Sequence, residues 1–227
     1  GDVHFYKNNQ IIKCQTLEYK ELLNEKDFLL HLYNQAELID SSKQLFGDTL
    51  DIYYKDSLIQ NINIKSNAKF LNYRYAKYNV NKKAQRIEDN ITSNRMYINF
   101  DKGNVVSMHL SEMATTNFNV LEDTLVKGLS HSSGDSIFID IEKNIINRMQ
   151  MFGGVQGIFT PEKNNTKVDS TVTYEADYID YQVNNEMSYL YNNAMVNYDS
   201  NELKAGEIIV DWNSNKLNAK MKDSVYP

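Results

Sequence analysis

Gly134-Asp135-Ser136-Ile137-Phe138-Ile139-Asp140-Ile141-Glu142, then Lys143-Asn144, then Ile145-Ile146-Asn147-Arg148-Met149-Gln150-Met151, is the stretch that decides the fold. Ile137, Ile139 and Ile141 recur at period two, which places them on one face of a strand. The polar residues after Ile141 suit the backbone angles of a tight hairpin. Met149 and Met151 then resume the alternation on a returning strand.

The unit recurs along the chain. Six segments begin at Cys14, Gly47, Ser93, Gly134, Ala176 and Ala205, at intervals of 33, 46, 41, 42 and 29 residues. In the first strands the apolar positions are Leu17, then Leu50 with Ile52, Met96 with Ile98, Ile137 with Ile139, Ile179 with Tyr181, and Ile208 with Val210. Polar turns follow at Asn24–Asp27, Lys55–Asp56, Asp101–Asn104, Glu142–Asn144, Asn184–Glu186 and Asn213–Lys216. The returning strands carry Leu30 with Leu32, Ile62 with Ile64, Met108 with Leu110, and Met149 with Met151, and the fifth has Ser188 and Leu190. Four residues further on stands a small residue: Ala36, Ala68, Ala114, Val155 or Ala194. A one-residue slip in register turns the whole apolar set outward, so the pairing is well specified. Leu17–Leu32 also fits an amphipathic helix, but its sibling segments read as strands.

A lone hairpin cannot bury its apolar face, whereas stacked hairpins share one core. The expected fold is therefore all-β, a jelly roll or open two-sheet sandwich of about six strand–turn–strand repeats. Residues 1–227 are read as a single continuous domain. The tyrosines and phenylalanines, 16 and 9 of them, suit a pleated surface.

Charge narrows the function. The net charge is −6, and no basic surface is available to neutralise phosphates, so nucleic acid is not expected as a partner. An anionic membrane surface is disfavoured for the same reason. No apolar run approaches the roughly 18–20 residues of a membrane-spanning helix. Cys14 is the only cysteine, so an internal disulfide is excluded and the compartment is not encoded in cysteine usage.

The pattern [small]-Asp-x-[aliphatic]-x-[aliphatic], a turn, and a strand ending near Asn/Gly-Ala resembles the OstA-like, or LptA-like, family of lipopolysaccharide-transport proteins. It stands here as Gly47-Asp48-Thr49-Leu50-Asp51-Ile52 with Asn67-Ala68, and as Gly134-Asp135-Ser136-Ile137-Phe138-Ile139 with Gly154-Val155. The stretch from Leu190 to Ala194 and on through Glu202 to Ile208 resembles the periplasmic domain that precedes the barrel of LptD. The resemblance implies a twisted β jelly roll in the periplasm whose apolar groove carries the acyl chains of lipopolysaccharide. It further implies edge-strand addition to other Lpt-like jelly-roll modules, membrane contact only through partner proteins, no cofactor and no enzymatic activity. Carried over by position, the groove residues are Leu50, Ile52, Ile62, Ile64, Met96, Ile98, Met108, Leu110, Ile137, Ile139, Met149, Met151, Ile179 and Leu190.

Other motifs read as structure. Ser130-His131-Ser132-Ser133-Gly134-Asp135 puts triad residue types side by side, but a triad is usually assembled from distant segments, so this is read as a loop entering the fourth unit. His4, His31, His109 and His131 lack metal-ligand spacing. His31 and His109 are expected to face away from the apolar stripe, and Gly153-Gly154 to bend a strand. The basic segment Arg74–Arg86, with Lys77, Lys82 and Lys83, is read as a solvated loop or a lysine-protected edge strand. Two alternatives remain in view. A carbohydrate-binding or carbohydrate-cleaving repeat protein predicts exposed aromatic platforms or paired carboxylates on one outer face, with Tyr97 and Phe138 as the aromatic candidates. A purely structural repeat predicts a filled interior.

Overall fold

The structure is a computed structural model and describes residues 3–7, 10–22, 26–78, 83–142, 145–163, 165, 168–214 and 216–221. Asn24, Asn144 and Asn215 of the turns and Lys82 of the basic segment lie outside these residues. The strands, in chain order, are β1 (Val3–Lys7), β2 (Gln10–Cys14), β3 (Thr16–Glu21), β4 (Phe28–Ile39), β5 (Lys43–Lys55), β6 (Leu58–Ala76) and β7 (Gln85–Asp101). They continue with β8 (Asn104–Glu122), β9 (Leu125–Glu142), β10 (Ile145–Pro161), β11 (Val172–Gln182), β12 (Met187–Tyr198), β13 (Asn201–Asp211) and β14 (Lys216–Lys220). The fourteen form one sheet in sequential order, with β3 alongside β2 as a second neighbour of β4. The fold is all-β, as the sequence indicates.

Strands β6 to β10 are 17–19 residues long, against the usual five or six or so. Each bends once, and the bends line up. On every even strand from β4 to β12 two consecutive residues take positive φ: Asn34 and Gln35, Ser66 and Asn67, Glu112 and Met113, Gly153 and Gly154, Asn192 and Asn193. The pairing register shifts at each of these sites, the mark of a β-bulge, which kinks a strand and increases its twist. β2 and β3 are one such strand interrupted at Gln15, whose N–H reaches the carbonyls of Tyr33 and Asn34, each at 3.2 Å.

The repeat starts identified from sequence are the residues in this crease. Ala36 pairs with Gly47, Ala68 with Ser93, Ala114 with Gly134, Val155 with Ala176, and Ala194 with Ala205. Large side chains do not fit where the sheet doubles over: a Cβ on Gly47 would lie 2.2 Å from Ile64 Cγ2. In three of the units the residue after the small one ties to the bulge opposite. Asn67 Nδ2 donates to Asp48 at 2.9 Å, Asn193 Nδ2 donates to both oxygens of Asp177 at 3.1 and 3.2 Å, and Asn94 Nδ2 donates to Glu112 at 2.5 Å. The [small]-Asp motif is thus the chemistry of a corner.

Folding at the crease gives two layers from one sheet. The repeat layer contributes Leu50, Ile52, Ile62, Ile64, Met96, Ile98 and their counterparts to the core. The facing layer contributes Ile12, Leu38, Leu45, Phe70, Ile91, Phe118, Val172 and Val196, and both belong to a single buried cluster. Rings meet across the gap, with Phe159 of the facing layer 6.3 Å from Trp212 of the repeat layer. Two hairpins of the repeat layer close with positive φ at both central residues, Asp56-Ser57 and Lys102-Gly103, the turn that matches strand twist.

Two contrasting substitutions test the crease. Gly47→Ala must displace the buried Ile64, and a loss of about 1–3 kcal/mol in urea unfolding is expected. Met113 has φ +65° and is 84% exposed, so its side chain gains little in return for a left-handed backbone. Met113→Gly is therefore expected to be neutral or to stabilise by up to about 1 kcal/mol.

Candidate functional site

Between the layers lies a cavity of about 440 Å³, running along the crease from β5 to β13. Ligand pockets fall at roughly 300–1,000 Å³. On the repeat layer its wall is Val105, Met108, Ile139, Ile141, Ile145, Ile146, Met149, Met151, Ile179, Leu190 and Val210. On the facing layer it is Phe70, Ile91, Phe118, Phe159, Val172, Tyr174 and Val196. The wall is mostly aliphatic and aromatic because both inner faces keep the period-two alternation on each side of the bend.

All fourteen groove residues named from sequence are buried. Met108, Ile139, Met149, Met151, Ile179 and Leu190 line the cavity. Leu50, Ile52, Ile62, Ile64, Met96, Ile98, Leu110 and Ile137 lie in the core outside its wall, largely on β5 to β7. Every one of the fourteen is on the repeat layer. The facing wall was passed over because its strands fall in the intervals between repeat units. Its signal is nonetheless present, as alternation at Ile87, Asp89, Ile91 and Ser93 and again at Ala114, Thr116 and Phe118, all buried.

Ser130-His131-Ser132-Ser133-Gly134-Asp135 is not a loop; it is the middle of β9. The alternation that continues through it buries Ser130 and Ser132 and exposes His131 and Asp135. Serine and histidine thus face opposite sides of the sheet, and no triad geometry exists. Ser132 Oγ instead bonds Tyr174 Oη at 2.8 Å inside. The Tyr174 ring reaches it by lying over Gly157, where a Cβ would come within 2.1 Å of the ring. Burial pushes the Tyr174 phenol up, against the pull of its serine hydrogen bonds, so it stays neutral.

The basic segment is partly strand: Arg74 is in β6 and Arg86 in β7. Beyond the pair Asn90↔Asn117, β7 leaves β8 while β8 stays with β9 out to Glu122↔Leu125. Asp89 spans the split. Its carboxylate accepts from Arg74 Nε at 2.8 Å, Asn119 N at 2.9 Å, and the side-chain amides of Asn72 and Asn119, each at 3.3 Å. Arg74 Nη2 donates to the Asn119 carbonyl at 3.1 Å. Lys77 then crosses over, its N–H bonding Thr124 O and its carbonyl accepting from Val126 N, both at 2.8 Å. Among the described residues no group of three His, Cys, Asp or Glu side chains is placed to hold a metal ion.

The outer face of the repeat layer carries a row of rings. His109 stacks on Phe138 at 4.0 Å, Phe152 on Tyr178 at 4.7 Å, and Tyr178 on Tyr191 at 5.4 Å, all within 23° of parallel. Stacked this way these rings cover part of one another's faces, and Phe152 meets Phe138 edge-on; Tyr97, 39% exposed, stands outside the row. A sugar platform requires free faces. His31 and His109 do point away from the core, His31 Nδ1–H donating to the Asp51 carboxylate at 2.8 Å.

No family model and no curated protein matches the sequence. The fold and cavity define a folded-over β jelly roll with an apolar interior. Among solved structures the chain is similar to LptH, the LptA-homologous periplasmic component of the conserved lipopolysaccharide transport device from Pseudomonas aeruginosa. The identity is 13% and the TM-score 0.45, over 60% of this chain and 84% of that one.

Two outer-face carboxylates make the fold sensitive to acid. Burial works against the charge of Asp180, and the two-pronged bond from Arg148, at 2.7 and 2.8 Å, outweighs it and holds the carboxyl below its usual range. Burial likewise opposes the charge of Asp51, and Lys65 and His31 outweigh it. Both native pKa values lie below the unfolded value of about 3.9, so both groups stabilise the fold above that pH and lose the contribution as pH falls through the native values. Urea midpoints measured from about pH 6 to about pH 2.5 should fall. The double variant Asp51→Asn, Asp180→Asn should start lower and fall less steeply.

Proposed function

We propose that this chain is a periplasmic lipopolysaccharide-transport protein that holds acyl chains between its two layers. The observation that carries the reading is the cavity itself, an aliphatic and aromatic trough inside a sheet whose end strands, among the described residues, do not pair with each other. Apolar surface of this kind is stabilised by an occupant that removes it from water. Met108, Met149 and Met151 on one wall adapt to chains of varying shape. The [small]-Asp motif of the lipopolysaccharide-transport family falls on the crease that creates the trough, which adds sequence support.

Partner contact follows from the unclosed edges. Among the described residues β14 pairs with β13 alone and all of its residues are exposed; at the other end β1 pairs with β2. Such edges accept a further strand through backbone hydrogen bonds, and another jelly-roll module is the partner this reading assigns.

Native mass spectrometry of the chain mixed with lipopolysaccharide tests the proposal. The folded protein is expected to carry bound lipid. Ile139→Asp puts a carboxylate on the cavity wall and is expected to abolish the adduct. Because that variant risks unfolding, Met151→Trp is the companion: it fills the cavity with an apolar ring at a cost of about 1–3 kcal/mol and should cut binding while circular dichroism stays native. Folded wild type that takes up no lipid sinks the proposal.

A further inference from the structure

We propose that the facing-layer wall between β5 and β9 is a head-group subsite for an anionic amphiphile, whose chain then runs along the crease toward Trp212. The inference rests on the reading that the cavity takes acyl chains, and adds where the charged end sits.

Charge in the cavity wall is uneven. Lys43, Arg74 and Lys127 all lie at the β5–β9 end, with Asp89 and Glu122, leaving one positive charge in excess. At the β11–β13 end Glu186 is the only charged residue of the wall among the described residues. An anionic head is therefore attracted to one end and repelled from the other. Charges act more strongly in a partly dry cavity than in water.

The cationic end is also built to hold a group in place. The guanidinium of Arg74 is fixed by Asp89 and by the Asn119 carbonyl, which use two of its five N–H donors. Asp89 is itself pinned by Asn72 and Asn119, so it orients Arg74 while its own oxygens are occupied. Lys127 pairs with Glu122 beside it. The side chains of Arg74 and Lys127 are 28% and 19% exposed, so a head group there keeps contact with water while its chain is buried. The place coincides with the split between β7 and β8, which is spanned by the Asp89 and Arg74 side chains and, further out, by the backbone of Lys77. Carboxylate and phosphate share the chemistry that such an Arg–Lys cluster recognises.

Trp212, the only tryptophan, reports on the other end. Its indole N–H is held by Ser188 Oγ at 2.8 Å, and its ring lines the cavity from the turn just after β13. Four strand spacings of about 4.8 Å put it roughly 19 Å from β9 along the crease.

The full chain is titrated with palmitate, hexadecanol and inorganic phosphate, and Trp212 fluorescence is followed with palmitate brominated either at the chain end or beside the carboxylate. The expected result is that palmitate binds roughly tenfold or more tightly than hexadecanol, the increment of a charge-assisted bond. Phosphate alone should not displace palmitate, and only the chain-end bromine should quench Trp212. The double variant Lys43→Gln, Lys127→Gln should bring palmitate down to the affinity of hexadecanol and leave hexadecanol unchanged. Equal binding of the two amphiphiles, displacement by phosphate, or quenching by the carboxylate-side bromine overturns the head-group site while leaving the acyl cavity standing. Failure of both amphiphiles to bind overturns the cavity reading as well.

Discussion

Everything in this molecule depends on a crease. Paired left-handed residues on five alternate strands bend one long meander along one line, and the sheet doubles onto itself. Left-handed backbone costs an ordinary residue about 1–2 kcal/mol. The structure offsets it with Asn at four of the ten bulge positions, with two glycines at Gly153-Gly154, and with side-chain ties to the residue opposite. Small residues facing one another across the crease then let the layers approach. Were the corners lost, the inner faces would lie open to water, and each Ile or Leu would forgo the roughly 1.5–3 kcal/mol its burial contributes.

The cavity is a consequence of the same constraint. Two layers joined at one side come together tightly at the crease and diverge away from it. On β5 to β7 the large aliphatic residues fill the gap, and Leu50, Ile52, Ile62 and Ile64 are fully buried. From β8 to β12 softer and smaller groups face one another, among them Met108, Met149, Met151, Thr116, Ser130 and Ser132. Glycines there let rings lie flat against the sheet, Tyr174 over Gly157 and Phe159 over Gly128, where a Cβ would stand 2.6 Å from the ring. Flattened rings line a space that upright ones would occupy.

Half of this architecture is written legibly in the sequence. The period-two runs, the polar turns and the small residues at unit starts marked one layer and its corners, because tight turns and close backbone approach restrict residue choice. The second layer is harder to read. Its inward positions include Asn72, Arg74, Asp89, Thr116, Ser130 and Ser132, so its hydrophobic alternation is broken by polar groups, most of which bond one another or Tyr174 inside. On the odd-numbered strands the inward parity also switches at the crease, from Ser93 to Met96 and from Ser132 to Ile137, so a continuous strand looks like a loop followed by a strand. That switch helped hide the opposite wall, from which none of the fourteen groove residues comes, while the eight that miss the cavity lie where the repeat layer packs closed.

The most direct test of an interior lipid site is photocrosslinking to lipopolysaccharide from a benzoylphenylalanine placed at Phe118 or, separately, at Phe138. Phe118 points into the cavity, and Phe138 sits on the outer face, 40% exposed. The account predicts a lipid adduct from position 118 and none from 138. Adducts from 138 alone would contradict it, placing the lipid on the outside of the sheet.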